Sequence, residues 1–206
     1  MTDRQTAVRR GLRLEYLTLG YNVVEAVVSM VSGVLAGSIA LVGFGVDAVI
    51  ESISGSVMLW RLKSDDHHKR EEFEQRALKL IGASFLVLAA YVGYEAVERL
   101  WTREAPERSI PGIVIACCSL AIMPVLARRK RAVGHEIQSA AMVADSRQTE
   151  LCSWLSAILL GGLVLNAAMG WWWADPVAGL LMVPIIAREG VSALRGQGCH
   201  CHGQCH

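Results

Sequence analysis

Ile39-Ala-Leu-Val-Gly-Phe-Gly-Val-Asp47-Ala-Val-Ile-Glu51-Ser-Ile-Ser-Gly-Ser-Val-Met-Leu-Trp60 is the stretch that decides the fold. It is almost wholly apolar, preceded by Gly37-Ser38 and followed by Arg61 and Lys63. A helix rises about 1.5 Å per residue, so a run of roughly 20 apolar residues matches ~30 Å of hydrocarbon. The segment therefore reads as a membrane span. Asp47 then lies about 12 Å along the helix from its outer end, well inside the hydrocarbon. Glu51 follows four residues later, which stacks both carboxylates on one helical face within reach of a single ion. Two acids at that depth repel unless a cation or a proton lies between them. The alternative is a pair of helix-end carboxylates that snorkel or take up protons.

Outward from this segment the pattern repeats. The chain has 206 residues, 53% hydrophobic and 19% charged, with a mean hydropathy of +0.37. Its apolar residues gather in span-length blocks instead of the stripes of a soluble domain, which excludes an ordinary globule and a disordered chain. The blocks predict six spans: Glu15–Ala36, Ile39–Trp60, Leu78–Trp101, Ile110–Ala127, Ile137–Ala168 and Trp172–Leu194. The expected fold class is an all-α membrane protein, a six-transmembrane-helix bundle with both termini cytosolic. Arginine and lysine concentrate on one side, at residues 4–13, 61–79 and 128–131, against Arg99, Arg103 and Arg108 on the other. The positive-inside bias sets the orientation from that contrast. The domain reading is a cytosolic N-terminus over 1–14, a transmembrane domain over 15–194 and a Cys/His-rich cytosolic tail over 195–206. The first apolar block is too long for a cleavable signal, so the expected location is the cell membrane. A net charge of +1 gives no global basic field and no call for nucleic acid.

Other polar residues at membrane depth need a partner, a cavity or a task. In the fifth span Asp145, Gln148 and Cys152 fall at i, i+3 and i+7, one face. Thiolate and carboxylate donors together suit Zn²⁺; a lone buried cysteine also serves as a small apolar filler. Arg147 and Glu150 lie on a different face and are positioned to neutralise each other. Asn22 and Glu25 share a face of the first span, either as polar glue between helices or beside an ion path. Asp175, before Pro176, reads as a cap on the sixth helix, with a place on the path as the alternative. Gly33, Gly37 and Gly45 read as close-packing positions, and Cys117 and Cys118 as packing residues. Asp66, His67 and His68 lie in the loop before the third span, a solvated loop or a peripheral metal site. The tail Cys199-His-Cys-His-Gly-Gln-Cys-His206 supplies six soft or borderline donors, Cys199, His200, Cys201, His202, Cys205 and His206, and reads as a metal-capturing peripheral segment.

The residues from Gly37 through Glu51, the run from Lys69 to Leu100 with Tyr94-Glu95-Ala96-Val97-Glu98-Arg99, the segment from Ala144-Asp145 onward, and Ala174-Asp175-Pro176-Val177-Ala178-Gly179 occur in order. Together they resemble the cation diffusion facilitators. That resemblance implies a six-span homodimer that exports divalent metal from the cytosol in exchange for protons by alternating access. It matches the family's two second-span carboxylates to Asp47 and Glu51, and its fifth-span His and Asp to Gln148 and Cys152. The second pair departs from the pattern. Losing the imidazole leaves proton exchange to the carboxylates or the thiol, and the thiol favours Zn²⁺ while Cd²⁺, Co²⁺, Ni²⁺ and Fe²⁺ stay open. The family's usual cytosolic domain has no counterpart in the dozen residues after Leu194, as in a divergent branch lacking it. No cofactor is implied beyond the transported metal. The reading is a transporter and not an enzyme, since no His-Glu-x-x-His, Gly-x-Ser-x-Gly or phosphate loop occurs. The alternative is a non-transporting metal-binding regulator or partner subunit of the same fold.

Overall fold

A computed structural model describes residues 3–63, 67–103 and 106–195. The described residues form six helices and no strand: α1 (Asp3–Ala36), α2 (Ile39–Lys63), α3 (His67–Thr102), α4 (Ile110–Glu136), α5 (Ala140–Met169) and α6 (Ala174–Leu194). All but α3 carry a described stretch long and apolar enough to cross a membrane, and α3 contains the expected Leu78–Trp101 block. The chain is an all-helical membrane bundle. Its main pairings are α1 with α2, α4 with α5, and α3 with α6, while α2 also meets α3, α5 and α6. The apolar window of α2 is 61% buried, against 28–44% for the other four, so the acid-bearing helix is the centre of the bundle.

In α1 the usual amphipathic logic is reversed. Glu15, Thr18, Asn22, Glu25, Ser29 and Ser32 recur every three or four residues and are all buried, while Val23, Val24, Val27, Val31, Val34 and Leu35 are exposed. Valines on the outer face suit acyl chains, and the polar seam finds partners inside the bundle. On α5, Asp145, Thr149, Cys152 and Ser156 make a matching buried seam.

Small residues let these polar faces approach. A Cβ on Gly33 would lie 2.8 Å from the Val42 nitrogen, and one on Gly45 would lie 2.9 Å from the Met30 nitrogen. At the α3–α6 crossing a Cβ on Gly82 would lie 2.7 Å from the Gly190 carbonyl oxygen. Gly37 has a different task from the packing expected of it: its φ of 64° makes the left-handed turn between α1 and α2.

Asp175 also differs from expectation. Its carboxylate does not cap α6, which has no side-chain cap. It accepts from the Ser38 hydroxyl and, at 3.0 Å, from the Ile39 N–H. It thus caps the start of α2 and ties α6 to it. Arg99 closes the same corner by donating to the Gly37 carbonyl.

Several boundaries move. α1 begins twelve residues before Glu15 and α3 begins at His67, so His67 and His68 open a helix. Asp66 and the tail from residue 196 lie outside the described residues, as do the side chains of His67 and His68. α4 runs past the basic cluster to Glu136, and Gln138, with φ 55°, makes the turn that the expected fifth span had included. α5 therefore starts at Ala140, with Ser139 as its N-cap.

Candidate metal transport site

Asp47 from α2 and Gln148 and Cys152 from α5 line one cleft, together with Phe85, Leu151, Leu155, Ile185, Ile186 and Glu189. The cleft is narrow, with a cavity volume of about 10 Å³, room for roughly one water molecule. The acid face of α2 and the thiol face of α5 therefore meet, as their spacing predicts. Asp47 is 6% exposed and, among the described residues, has no hydrogen-bond or ion-pair partner. Glu51 is 3% exposed, and neither of its carboxylate oxygens has a hydrogen-bond partner. Occluded carboxylate oxygens without a hydrogen-bond partner, as in Glu51, are expensive in a dry interior.

Cys152, 1% exposed, is more than filler. Its thiol donates to Glu25 Oε1 at 3.7 Å, and Ser119 donates to both Glu25 oxygens at 3.2 Å. Glu25 is fully buried. The first span thus brings the Glu25 carboxylate to the Cys152 thiol. Asn22, one turn away, is buried with both amide atoms unpartnered. Gln148 Oε1 accepts from Ser54 at 2.9 Å, while its Nε2 is buried without a partner. Among the described residues no three His, Cys, Asp or Glu side chains form a finished metal-ligand set. The buried acids and the thiol fall into two groups, Asp47 and Glu51 one turn apart on α2, and Cys152 hydrogen-bonded to Glu25.

Asp145 does not line the cleft. Its carboxylate meets Lys130 Nζ at 2.6 Å, and Glu15 Oε2 meets the same ammonium at 3.0 Å, with Thr149 at 3.4 Å. Glu15 and Lys130 are each 1% exposed. This triad joins α1, α4 and α5 on the inner side of the site, and Asp145 is committed to Lys130. Glu150 is likewise paired outside its own helix, with Arg131 of α4 and not with Arg147.

Sequence reasoning missed Lys130, Glu15 and Glu189. Lys130 was counted with the solvated arginines beside it. The signal was present: Met123, Leu126, Ala127, Lys130 and Val133 follow helical spacing and form one buried stripe of α4. Glu15 opens the polar seam of α1 in the same way.

Comparison with known proteins adds an independent line. The family model for the cation efflux transmembrane domain matches residues 16–197. An uncharacterized transporter of Synechocystis sp. is 27% identical over 155 residues, 71% of this chain and 49% of that protein. Transmembrane protein 163 of Xenopus laevis is 24% identical, over 93% of this chain and 69% of its own length. The cadmium, cobalt and zinc/H(+)-K(+) antiporter of Bacillus subtilis is 24% identical, over 85% of this chain and 57% of that protein. The chain thus spans between about half and two-thirds of the length of these relatives. A family match along almost all of α1 to α6, over a bundle whose second helix carries two buried acids at its centre, places this multi-pass membrane protein in the cation efflux, or cation diffusion facilitator, family.

Proposed function

We propose that the protein is a secondary transporter in the cell membrane that moves a divalent metal cation, Zn²⁺ foremost, out of the cytosol in exchange for protons. The observation that carries this reading is the shared cleft: Asp47 faces Gln148 and Cys152 across it, with Glu51 buried and unpartnered one turn away. Asp47, Glu51 and Cys152 bind the ion, Gln148 supplies a neutral oxygen, and Glu25 holds the thiol in place. A thiol with carboxylates favours Zn²⁺ over hard ions such as Mg²⁺, with Cd²⁺, Co²⁺, Ni²⁺ and Fe²⁺ as further cargo. Two relatives named as cadmium, cobalt and zinc antiporters support that metal class.

Proton exchange follows from charge balance. When the metal leaves, the site retains more negative charge than a dry interior tolerates, so protons take the metal's place. Alternating access is the rocking of helices about this fixed mid-membrane site, and the functional unit in this reading is a homodimer formed through its spans.

The test is flux. Purified protein in proteoliposomes is expected to move Zn²⁺ and Cd²⁺ and to exclude Mg²⁺, with an opposing proton movement read by an internal pH dye. Metal flux with no proton counterflow at any pH gradient removes the antiport element. Metal binding without flux turns the reading to a regulator or partner subunit of the same fold.

A further inference from the structure

The cleft beside Asp47 changes character along its length. Asp47, Phe85, Cys152, Leu155 and Ile186 are buried at one end, whereas Gln148, Leu151, Ile185 and Glu189 are half-buried at the other. Asp47 lies eight residues after the start of α2, on the outer side in the orientation that the basic residues set, while Glu189 lies five residues before the end of α6, on the inner side. The open end therefore faces the inner half of the bundle.

Glu189 stands at that opening. Among the described residues it has no hydrogen-bond or ion-pair partner; the adjacent Arg188 is an opposite charge that acts on it. A carboxylate at this depth costs a few kcal/mol against lipid, so Glu189 needs a partner, water or an ion. Asp47, at the closed end, is nine-tenths buried, unpartnered and lines the same cleft. Between them the wall is apolar except for Gln148 and Cys152.

We infer that Glu189 is a loading carboxylate, which captures a divalent cation at the inner mouth of the cleft and passes it to Asp47. This role rests on the transport reading above. A fixed negative charge at the mouth of a low-dielectric path raises the local cation concentration and the on-rate. It contributes to capture and little to the conformational step, so its loss raises KM more than it lowers kcat.

The experiment compares wild type, Asp47→Asn, Glu189→Gln and Glu189→Asp in proteoliposomes, with Zn²⁺ offered to the face that carries the inner ends of the helices. Glu189→Gln is expected to raise the KM for Zn²⁺ about tenfold with kcat reduced less than about twofold, to flatten the salt dependence of kcat/KM, and to be rescued by Glu189→Asp. An unchanged KM, or a fall in kcat at constant KM, overturns the loading role while active wild type and inactive Asp47→Asn leave the transport reading intact. No flux from wild type, or equal flux from Asp47→Asn, overturns both. If Glu189→Gln does not reconstitute, Glu189→Ala is judged in the same assay by the same criteria.

Discussion

Asp47→Ala is expected to lower Zn²⁺ flux in proteoliposomes at least about a hundredfold, since removing even a group that supports a metal ligand costs about 10–100-fold. Asp47 is the deepest acid of the cleft and has no protein partner among the described residues. Its loss therefore breaks no internal bond and leaves the bundle folded. A divalent ion at mid-membrane needs compensating negative charge, and with Asp47 gone the ion loses a donor that faces both α5 and the open mouth. Flux by Asp47→Ala at near the wild-type rate, in protein of unchanged melting temperature, removes Asp47 from the site.

Lys130→Ala is expected to affect the fold itself. The ammonium lies 2.6 Å from Asp145 and 3.0 Å from Glu15, and all three groups are buried. Removing it leaves two carboxylates facing each other with no cation, and breaking a buried pair in this way costs about 3–5 kcal/mol. Denaturant unfolding in detergent is the measurement. Replacing the whole triad by apolar residues of similar volume, Glu15→Met, Lys130→Met and Asp145→Val, is expected to restore most of that loss, because a buried ion cluster exchanged for well-packed hydrophobic groups is often nearly neutral. A Lys130→Ala variant as stable as wild type contradicts the ionised triad. By contrast, the exposed Arg10–Glu136 pair at 2.7 Å contributes about 0–1 kcal/mol.

The sequence made the α2 span and its two carboxylates legible because hydropathy and i, i+4 spacing are local properties. The meeting of α2 with α5 was legible for a different reason: polar residues at membrane depth must turn inward, so two polar faces in one bundle point at a common interior. What hid the triad was charge itself. Lys130 lies among Arg128, Arg129 and Arg131, and a basic run reads as the end of a span. α4 instead continues to Glu136 and turns Lys130 onto its buried stripe. Asp145 was for the same reason assigned to the metal, since its i+7 relation to Cys152 is real but its partner comes from another helix. Asp175 looked like a local cap because Pro176 follows it, and the N–H groups that it satisfies belong to α2, far away in sequence. Glu189 carried no signal above that of any charge near a helix end; only its place at the mouth of the cleft distinguishes it.

The most direct measurement is Cd²⁺ binding to purified protein with Cys117, Cys118, Cys199, Cys201 and Cys205 replaced by Ser, which leaves Cys152 as the single thiol. In the proposed site the Cys152 sulfur and the Asp47 carboxylate share one ion, so an ultraviolet thiolate-to-Cd²⁺ charge-transfer band is expected. That band should vanish in Cys152→Ser and need at least tenfold more Cd²⁺ in Asp47→Asn, on the order of a lost ligand's contribution. A band indifferent to Asp47, or no band at any Cd²⁺ concentration, contradicts the shared site.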